Sequence, residues 1–125
     1  MKILTWVLRV LLTGAFIMGA LFKMTTPYAE LLTKMAWVEN FTPLLVKIIG
    51  GIELLGALGI MLPLLLKIKP KISAYATMGL SLTMIGAFST HLVRGEFSMA
   101  LAPLVFLVLV LFLTKRTLSE LNHKN

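Results

Sequence analysis

Four long apolar segments, separated by connections of unequal length, constrain the fold more than any other feature of this sequence. They cover residues 3–22, 44–66, 72–93 and 97–113. Each approaches or exceeds the roughly 20 residues that a helix needs to cross a bilayer. Only 14% of the residues are charged, against about 25% in soluble domains. We therefore expect one all-α domain over residues 1–125, a membrane four-helix bundle.

The first apolar segment also has features of a signal peptide. However, Arg9 interrupts the apolar region, and the segment is long enough to span a membrane. We therefore expect it to be retained as the first helix of the bundle.

The basic residues predict the orientation of the bundle. With both termini in the cytoplasm, eight of the twelve basic residues face that side. These eight are Lys2, Arg9, Lys67, Lys69, Lys71, Lys115, Arg116 and Lys124, and the other four are Lys23, Lys34, Lys47 and Arg94. The positive-inside rule favours this orientation in a bacterial-type cytoplasmic (inner) membrane. The net charge of +7 then reflects topology, and we expect no nucleic acid as a partner.

The first connection is about 20 residues long and carries aromatic side chains. Apolar residues recur with helical spacing between Tyr28 and Trp37, which predicts a short interfacial helix, with a plain loop as the alternative. The C-terminal stretch TKRTLSELNHKN is expected to be a short polar extension in which His123 is solvated.

Two ionisable residues inside the predicted spans are the strongest functional candidates, because charges in hydrocarbon are costly. At a rise of about 1.5 Å per residue, Glu53 lies roughly 3 Å outside the midpoint of the second span. Arg9 lies roughly 5 Å inside the midpoint of the first span by the same rise. We expect Arg9 to pair with Glu53 directly or through water, with His91 as the second choice of partner.

An alternative leaves this pair unformed. Arg9 would extend to the cytoplasmic interface, and a protonated Glu53 would hydrogen-bond a neighbouring helix. In both cases Glu53 faces the bundle, and Thr13 lies one turn from Arg9 on the polar side. Small residues that flank Glu53 allow close helix approach: Gly50, Gly56 and Ala57.

Four residues near the outer ends of the spans are candidates for the outer mouth of this site. His91 and Arg94 either contact a ligand there, or His91 hydrogen-bonds the first connection. Lys23 either caps the polar interior or anchors its helix among the headgroups. Lys47 lies at a similar depth near the outer surface.

The chain has no cysteine, which excludes disulfides, iron–sulfur clusters and Cys-type zinc sites within it. Its eight methionines are interpreted as gap-filling core residues rather than as metal ligands. We predict no catalytic residue, no metal site and no intrinsic cofactor. A quinone or lipid would fit an apolar slot with a few polar contacts from Arg9, Glu53 and His91.

Three stretches resemble the DoxX-like family of small four-helix membrane proteins. They are RVLLTGAFIMGALFKM in the first span, GGIELLGALGIMLP in the second, and HLVRGEF after the third. The resemblance covers about residues 3–113, and the second stretch with its Glu53 is the most specific. It implies the fold more than the function, because relatives include oxidoreductase-associated bacterial subunits and an animal chaperone for nicotinic receptor assembly.

Three functions remain open from the sequence. The first is a non-enzymatic, chaperone-like binding or assembly protein whose buried polar site holds a lipid or quinone. The second is an accessory quinone-associated subunit of a membrane oxidoreductase complex. The third is a small transporter, which is disfavoured because no pair of broken helices is visible. We expect membrane lipids as partners, together with another membrane protein or a second copy of this chain.

Overall fold

The computed structural model describes residues 2–124 as a bundle of four long helices, with two short helices in the first connection. The elements are α1 (Lys2–Thr25), α2 (Tyr28–Lys34), a 3₁₀ helix (Ala36–Asn40), α3 (Pro43–Leu65), α4 (Lys71–Val93) and α5 (Leu101–Lys124). The four long helices are apolar enough to cross a membrane, with mean hydropathies between 1.3 and 2.1. The predicted all-α bundle is confirmed.

The helix boundaries follow from local chemistry. The Thr42 side chain accepts a hydrogen bond from the backbone N–H of Leu45, and Pro43 takes the first helical position of α3. Both features are typical of helix starts. The turn between α4 and α5 contains Gly95 at a φ of +75°, a conformation that glycine adopts without steric penalty.

Small residues on α3 set how closely the helices pack. A Cβ atom at Gly50 would lie 2.8 Å from Cγ of Met24 and 3.0 Å from the carbonyl oxygen of Ala20, both on α1. On the α4 side, a Cβ atom at Gly59 would lie 2.7 Å from that of Ala76. The predicted close approach at Gly50 is therefore present, and it fixes which residues of α1 lie level with α3.

The bundle has two distinct ends with an apolar core between them. One end, the loop end, holds α2, the 3₁₀ helix and the α4–α5 turn. The other, the terminal end, holds the start of α1, the end of α5 and the α3–α4 loop. The core between them is a cluster of buried apolar residues: Leu12, Phe16, Ala57, Ile60, Leu80, Met84, Val110 and Leu113.

Two boundary predictions have different outcomes. The short helix predicted at Tyr28–Trp37 is present as α2 and the following 3₁₀ helix. The fourth span was predicted to end at residue 113, but α5 continues to Lys124. The stretch interpreted as a polar extension is therefore helical as far as Lys124. Its residues Thr114 and Thr117 turn their side chains into the bundle and are buried. His123, at its end, is exposed as predicted.

Candidate functional site

A cavity of about 640 Å³ lies at the loop end, between the four long helices and the first connection. Its lining is mainly apolar and includes Phe16, Trp37, Phe41 and Phe106. The polar residues that line it are Lys23, Glu53, Thr83, Thr90 and His91. Small-molecule sites commonly have about 300–1,000 Å³ and combine apolar walls with a few polar groups. The cavity has the size and lining of such a site.

The central polar feature of this cavity is an ion pair between α1 and α3. Lys23 Nζ donates a hydrogen bond to Glu53 Oε1 across 2.8 Å. Glu53 is only 3% exposed, so its carboxylate faces the bundle as predicted. A buried charge is tolerated when an opposite charge accompanies it. Lys23 is thus the partner of Glu53, whereas the sequence predicted Arg9 in that role.

The second carboxylate oxygen of Glu53 is available to a ligand. Among the described residues none donates a hydrogen bond to Oε2. Gly19 leaves space beside it, since a Cβ atom there would lie 3.7 Å from Oε2 and 3.8 Å from Lys23 Nζ. The pair therefore offers a free acceptor beside an ammonium group that can make up to three hydrogen bonds.

His91 lines the same cavity and is oriented by Glu96. His91 Nδ1 lies 2.9 Å from Glu96 Oε1. A carboxylate only accepts hydrogen bonds, so a neutral His91 carries its proton on Nδ1 and keeps Nε2 as an acceptor. Protonation of the imidazole would convert Nε2 into a donor.

Arg94 connects the end of α4 to the first connection. Its Nε donates to Glu96 Oε1 across 3.0 Å, and its Nη1 donates to Glu39 Oε1 across 2.8 Å and to Asn40 Oδ1. The hydrogen bonds to Glu96 and then Glu39 raise the pKa of Arg94. The hydrogen bonds from Arg94 and then His91 lower the pKa of Glu96. We call these five residues, His91 included, the Arg94 network.

The first connection forms one wall of the cavity through Met35, Trp37 and Phe41. Tyr28 holds the segment in shape, because its hydroxyl lies 2.7 Å from the carbonyl oxygen of Phe41 and 3.0 Å from that of Val38. The Trp37 and Phe41 rings pack edge to face at 5.5 Å. The Arg94 network thus ties this wall of the cavity to α4.

The predicted pair between Arg9 and Glu53 is wrong. Arg9 is fully buried at the terminal end, where its Nη2 donates to Thr117 Oγ1 and Glu120 Oε2, each at 3.1 Å. Its guanidinium also lies 5.0 Å from the centre of the Trp6 ring, in reach of a cation–π interaction. Arg9 is 0% exposed, so its guanidinium is enclosed by the helices at this end.

The other predicted site residues divide between the two ends. Lys23, Glu53 and His91 line the cavity, and Arg94 supports it from outside. Thr13 lies one turn from Arg9 on α1, and its hydroxyl has no hydrogen-bond partner among the described residues. Lys47 is exposed and does not line the cavity. The single polar site predicted around Arg9 and Glu53 is therefore two sites.

Sequence reasoning missed several partners in both sites. Glu39 and Asn40 gave no signal because a connection of unknown shape carries them. Glu96 was noted within HLVRGEF, and its position near His91 was the available clue. Thr117 and Glu120 were missed because α5 was predicted to end before them. Among the described residues, no cluster of three or more His, Cys, Asp or Glu side chains could hold a metal ion.

Comparison with protein families adds the evolutionary context. A model of the DoxX-like family matches residues 7–113. The chain belongs to the DoxX-like family. The match includes Lys23, Glu53, His91 and Arg94, and ends before Thr117 and Glu120. Family membership and the four apolar helices together make this a small integral membrane protein. Comparisons with curated proteins and with solved structures find no match.

Proposed function

We propose that this membrane protein is a non-enzymatic binding protein for a neutral amphipathic molecule, which occupies the cavity at the loop end. The observation that carries the proposal is the Lys23–Glu53 pair, which lines an otherwise largely apolar cavity. The pair provides polar contacts without giving the cavity a net charge.

Charge selects the class of ligand. Lys23 and Glu53 neutralise each other at 2.8 Å. An anionic or cationic head group would compete with one member of the pair and leave the other without a partner in a low-dielectric site, which is unfavourable. A neutral head group can instead accept a hydrogen bond from Lys23 or donate one to Glu53 Oε2 while the pair stays intact.

The walls select an amphipathic molecule. Aromatic residues of α1, the first connection and α5 line these walls. The ring of Phe16 on α1 lies 5.6 Å from that of Phe106 on α5. An apolar ring or chain can pack against these walls while an oxygen-bearing head group reaches the pair. Quinones and neutral lipids such as diacylglycerol share this chemistry.

The test is to identify what the purified protein retains. The full chain is purified in a mild detergent, its small molecules are extracted, and they are quantified by mass spectrometry against bulk phospholipid. We expect a quinone or a neutral lipid at about one copy per chain. Mass and redox difference spectra distinguish the two, and a quinone would favour an accessory role beside an oxidoreductase.

Two matched variants assign the molecule to the cavity. Glu53→Gln removes the carboxylate that lines it, whereas Glu30→Gln removes one from the exposed pair with Lys34 on α2. We expect retention to fall at least fivefold in Glu53→Gln and to stay unchanged in Glu30→Gln. An extract with only bulk phospholipid in the wild type, or equal retention in both variants, would overturn the proposal.

A further inference from the structure

The charges of this protein are separated between its two ends. The loop end carries four basic residues, and four of the five acidic residues of the chain lie there: Glu30, Glu39, Glu53 and Glu96. The terminal end carries eight basic residues and Glu120. The formal charge of the loop end is therefore zero, and the whole net charge of +7 belongs to the terminal end.

In the part of the chain that the structure describes, ion pairs neutralise the acidic residues at both ends but leave the lysines of the α3–α4 loop unpaired. Every acidic residue of the loop end pairs with a basic residue: Glu53 with Lys23, Glu30 with Lys34, and Glu39 and Glu96 with Arg94. At the terminal end Glu120 pairs with the buried Arg9. Within the described residues, Lys67, Lys69 and Lys71 take part in no salt bridge.

The α3–α4 loop displays these three lysines between exposed apolar side chains. Leu66 is 61% exposed and Ile68 is 52% exposed. Lys67 and Lys69 have φ angles of 55° and 23°, a region that residues other than glycine rarely adopt. Such backbone strain persists only where the surrounding structure enforces it, and it often marks a functional segment.

We propose that the α3–α4 loop is a docking surface for the headgroups of anionic phospholipids, with Lys67, Lys69 and Lys71 as their phosphate partners. The alternation of lysine and exposed aliphatic residues fits a boundary with hydrocarbon on one side and phosphates on the other. Leu66 and Ile68 can enter the hydrocarbon beneath the phosphates, which favours a lipid surface over a soluble acidic partner. The loop joins two helices apolar enough to cross a membrane, which places it at headgroup level.

The proposal is tested by the lipids that stay bound to the protein. The full chain is reconstituted in nanodiscs that contain equal amounts of phosphatidylglycerol and phosphatidylcholine, and the lipids retained on release are counted by native mass spectrometry. A lysine near an anionic surface contributes about a fivefold preference. We expect clear enrichment of phosphatidylglycerol on the wild type, which weakens as ionic strength rises.

Matched variants locate the surface. Lys67→Gln removes a lysine of the loop, and Lys47→Gln removes an exposed lysine of the loop end. We expect Lys67→Gln to reduce the enrichment about fivefold, and the triple variant of Lys67, Lys69 and Lys71 to glutamine to reduce it at least about tenfold. Lys47→Gln, which removes a lysine outside this cluster, should reduce it less than Lys67→Gln. No enrichment on the wild type, full enrichment on the triple variant, or an equal loss with Lys47→Gln would overturn the proposal.

Discussion

Lys23 Nζ lies 2.8 Å from Glu53 Oε1, so a lysine near the end of α1 neutralises a carboxylate near the middle of α3. Both side chains are largely buried, and both line the cavity. The pair therefore joins α1 to α3 and also supplies two of the polar residues that line the candidate site. These two roles can be separated by experiment.

Removing one member of this pair should destabilise the protein more than removing both. Lys23→Met leaves Glu53 buried without its cation, and breaking a buried pair in this way typically costs about 3–5 kcal/mol. The double variant Lys23→Met, Glu53→Gln removes both charges and should recover part of that loss. Thermal unfolding in detergent, followed by circular dichroism, measures the difference.

The exposed pair between Glu30 and Lys34 is the control for this cycle. Both of its side chains are about half exposed, and such pairs contribute about 0–1 kcal/mol. Lys34→Met should therefore change the midpoint of thermal unfolding only slightly. Strictly additive effects of the Lys23 and Glu53 substitutions would show that the two residues do not stabilise each other.

A side chain at Gly50 should disrupt the contact that brings Lys23 to Glu53. In Gly50→Ala the new methyl group would meet Met24 Cγ at 2.8 Å and the Ala20 carbonyl at 3.0 Å, so α1 and α3 must move apart. Overpacking of this kind costs about 1–3 kcal/mol. Gly51→Ala is the control, since no atom lies within 4 Å of its new Cβ. Equal unfolding midpoints for the two variants would refute the close contact.

The same contact explains why the sequence predicted the wrong partner for Glu53. The prediction aligned the midpoints of the spans, but the close approach at Gly50 aligns that residue with Ala20 and Met24 of α1. Glu53 then lies level with Gly19. Arg9 is ten residues from Gly19 along α1, about 15 Å at the rise of a helix, which exceeds the reach of its side chain.

Hydropathy predicted the four helices but gave no information on how far each is shifted along the bundle axis relative to its neighbours. These axial positions depend on which small residues allow two helices to touch, a tertiary property that local periodicity does not encode. The end of α5 was misplaced for a related reason. Thr114, Thr117 and Glu120 are polar, yet the first two are buried and Glu120 pairs with Arg9, so they belong to the bundle despite their low hydropathy.

Glu120 should stabilise the terminal end through Arg9. Glu120→Gln leaves the guanidinium fully buried with Thr117 as its remaining acceptor among the described residues. Because Glu120 is 31% exposed on its side chain, we expect a loss of about 1–3 kcal/mol rather than the larger cost of a fully buried pair. Lys115→Gln, an exposed position on α5, should have no comparable effect on the unfolding midpoint.

The Arg94 network should make the first connection sensitive to acid. Interaction with Arg94 and His91 lowers the pKa of Glu96 from its ordinary value of 4.5. A carboxylate with a lowered pKa contributes stability that is present above its unfolded-state pKa and is lost as the pH falls through its folded-state pKa. The wall formed by the first connection should therefore hold at neutral pH and loosen only below about pH 4.5.

Trp37 reports this change directly, since it lies in the first connection and packs against Phe41. In a Trp6→Phe background, where Trp37 is the only tryptophan, its emission should shift to the red below pH 4.5. Arg94→Gln should show a red-shifted emission already at neutral pH. An emission that stays constant across the acid range in the parent, or is unchanged by Arg94→Gln, would contradict this assignment.

The most direct test of the account fills the cavity and counts the retained molecule. Ala15→Phe directs a ring into the cavity, whereas Gly14→Phe places the same ring at an exposed neighbouring position with nothing within 4 Å of its Cβ. Mass spectrometry of the extracted molecule should show about one copy per chain in the wild type and in Gly14→Phe, and near-complete loss in Ala15→Phe. Equal occupancy in the two phenylalanine variants would show that the cavity beside Lys23 and Glu53 is not the binding site.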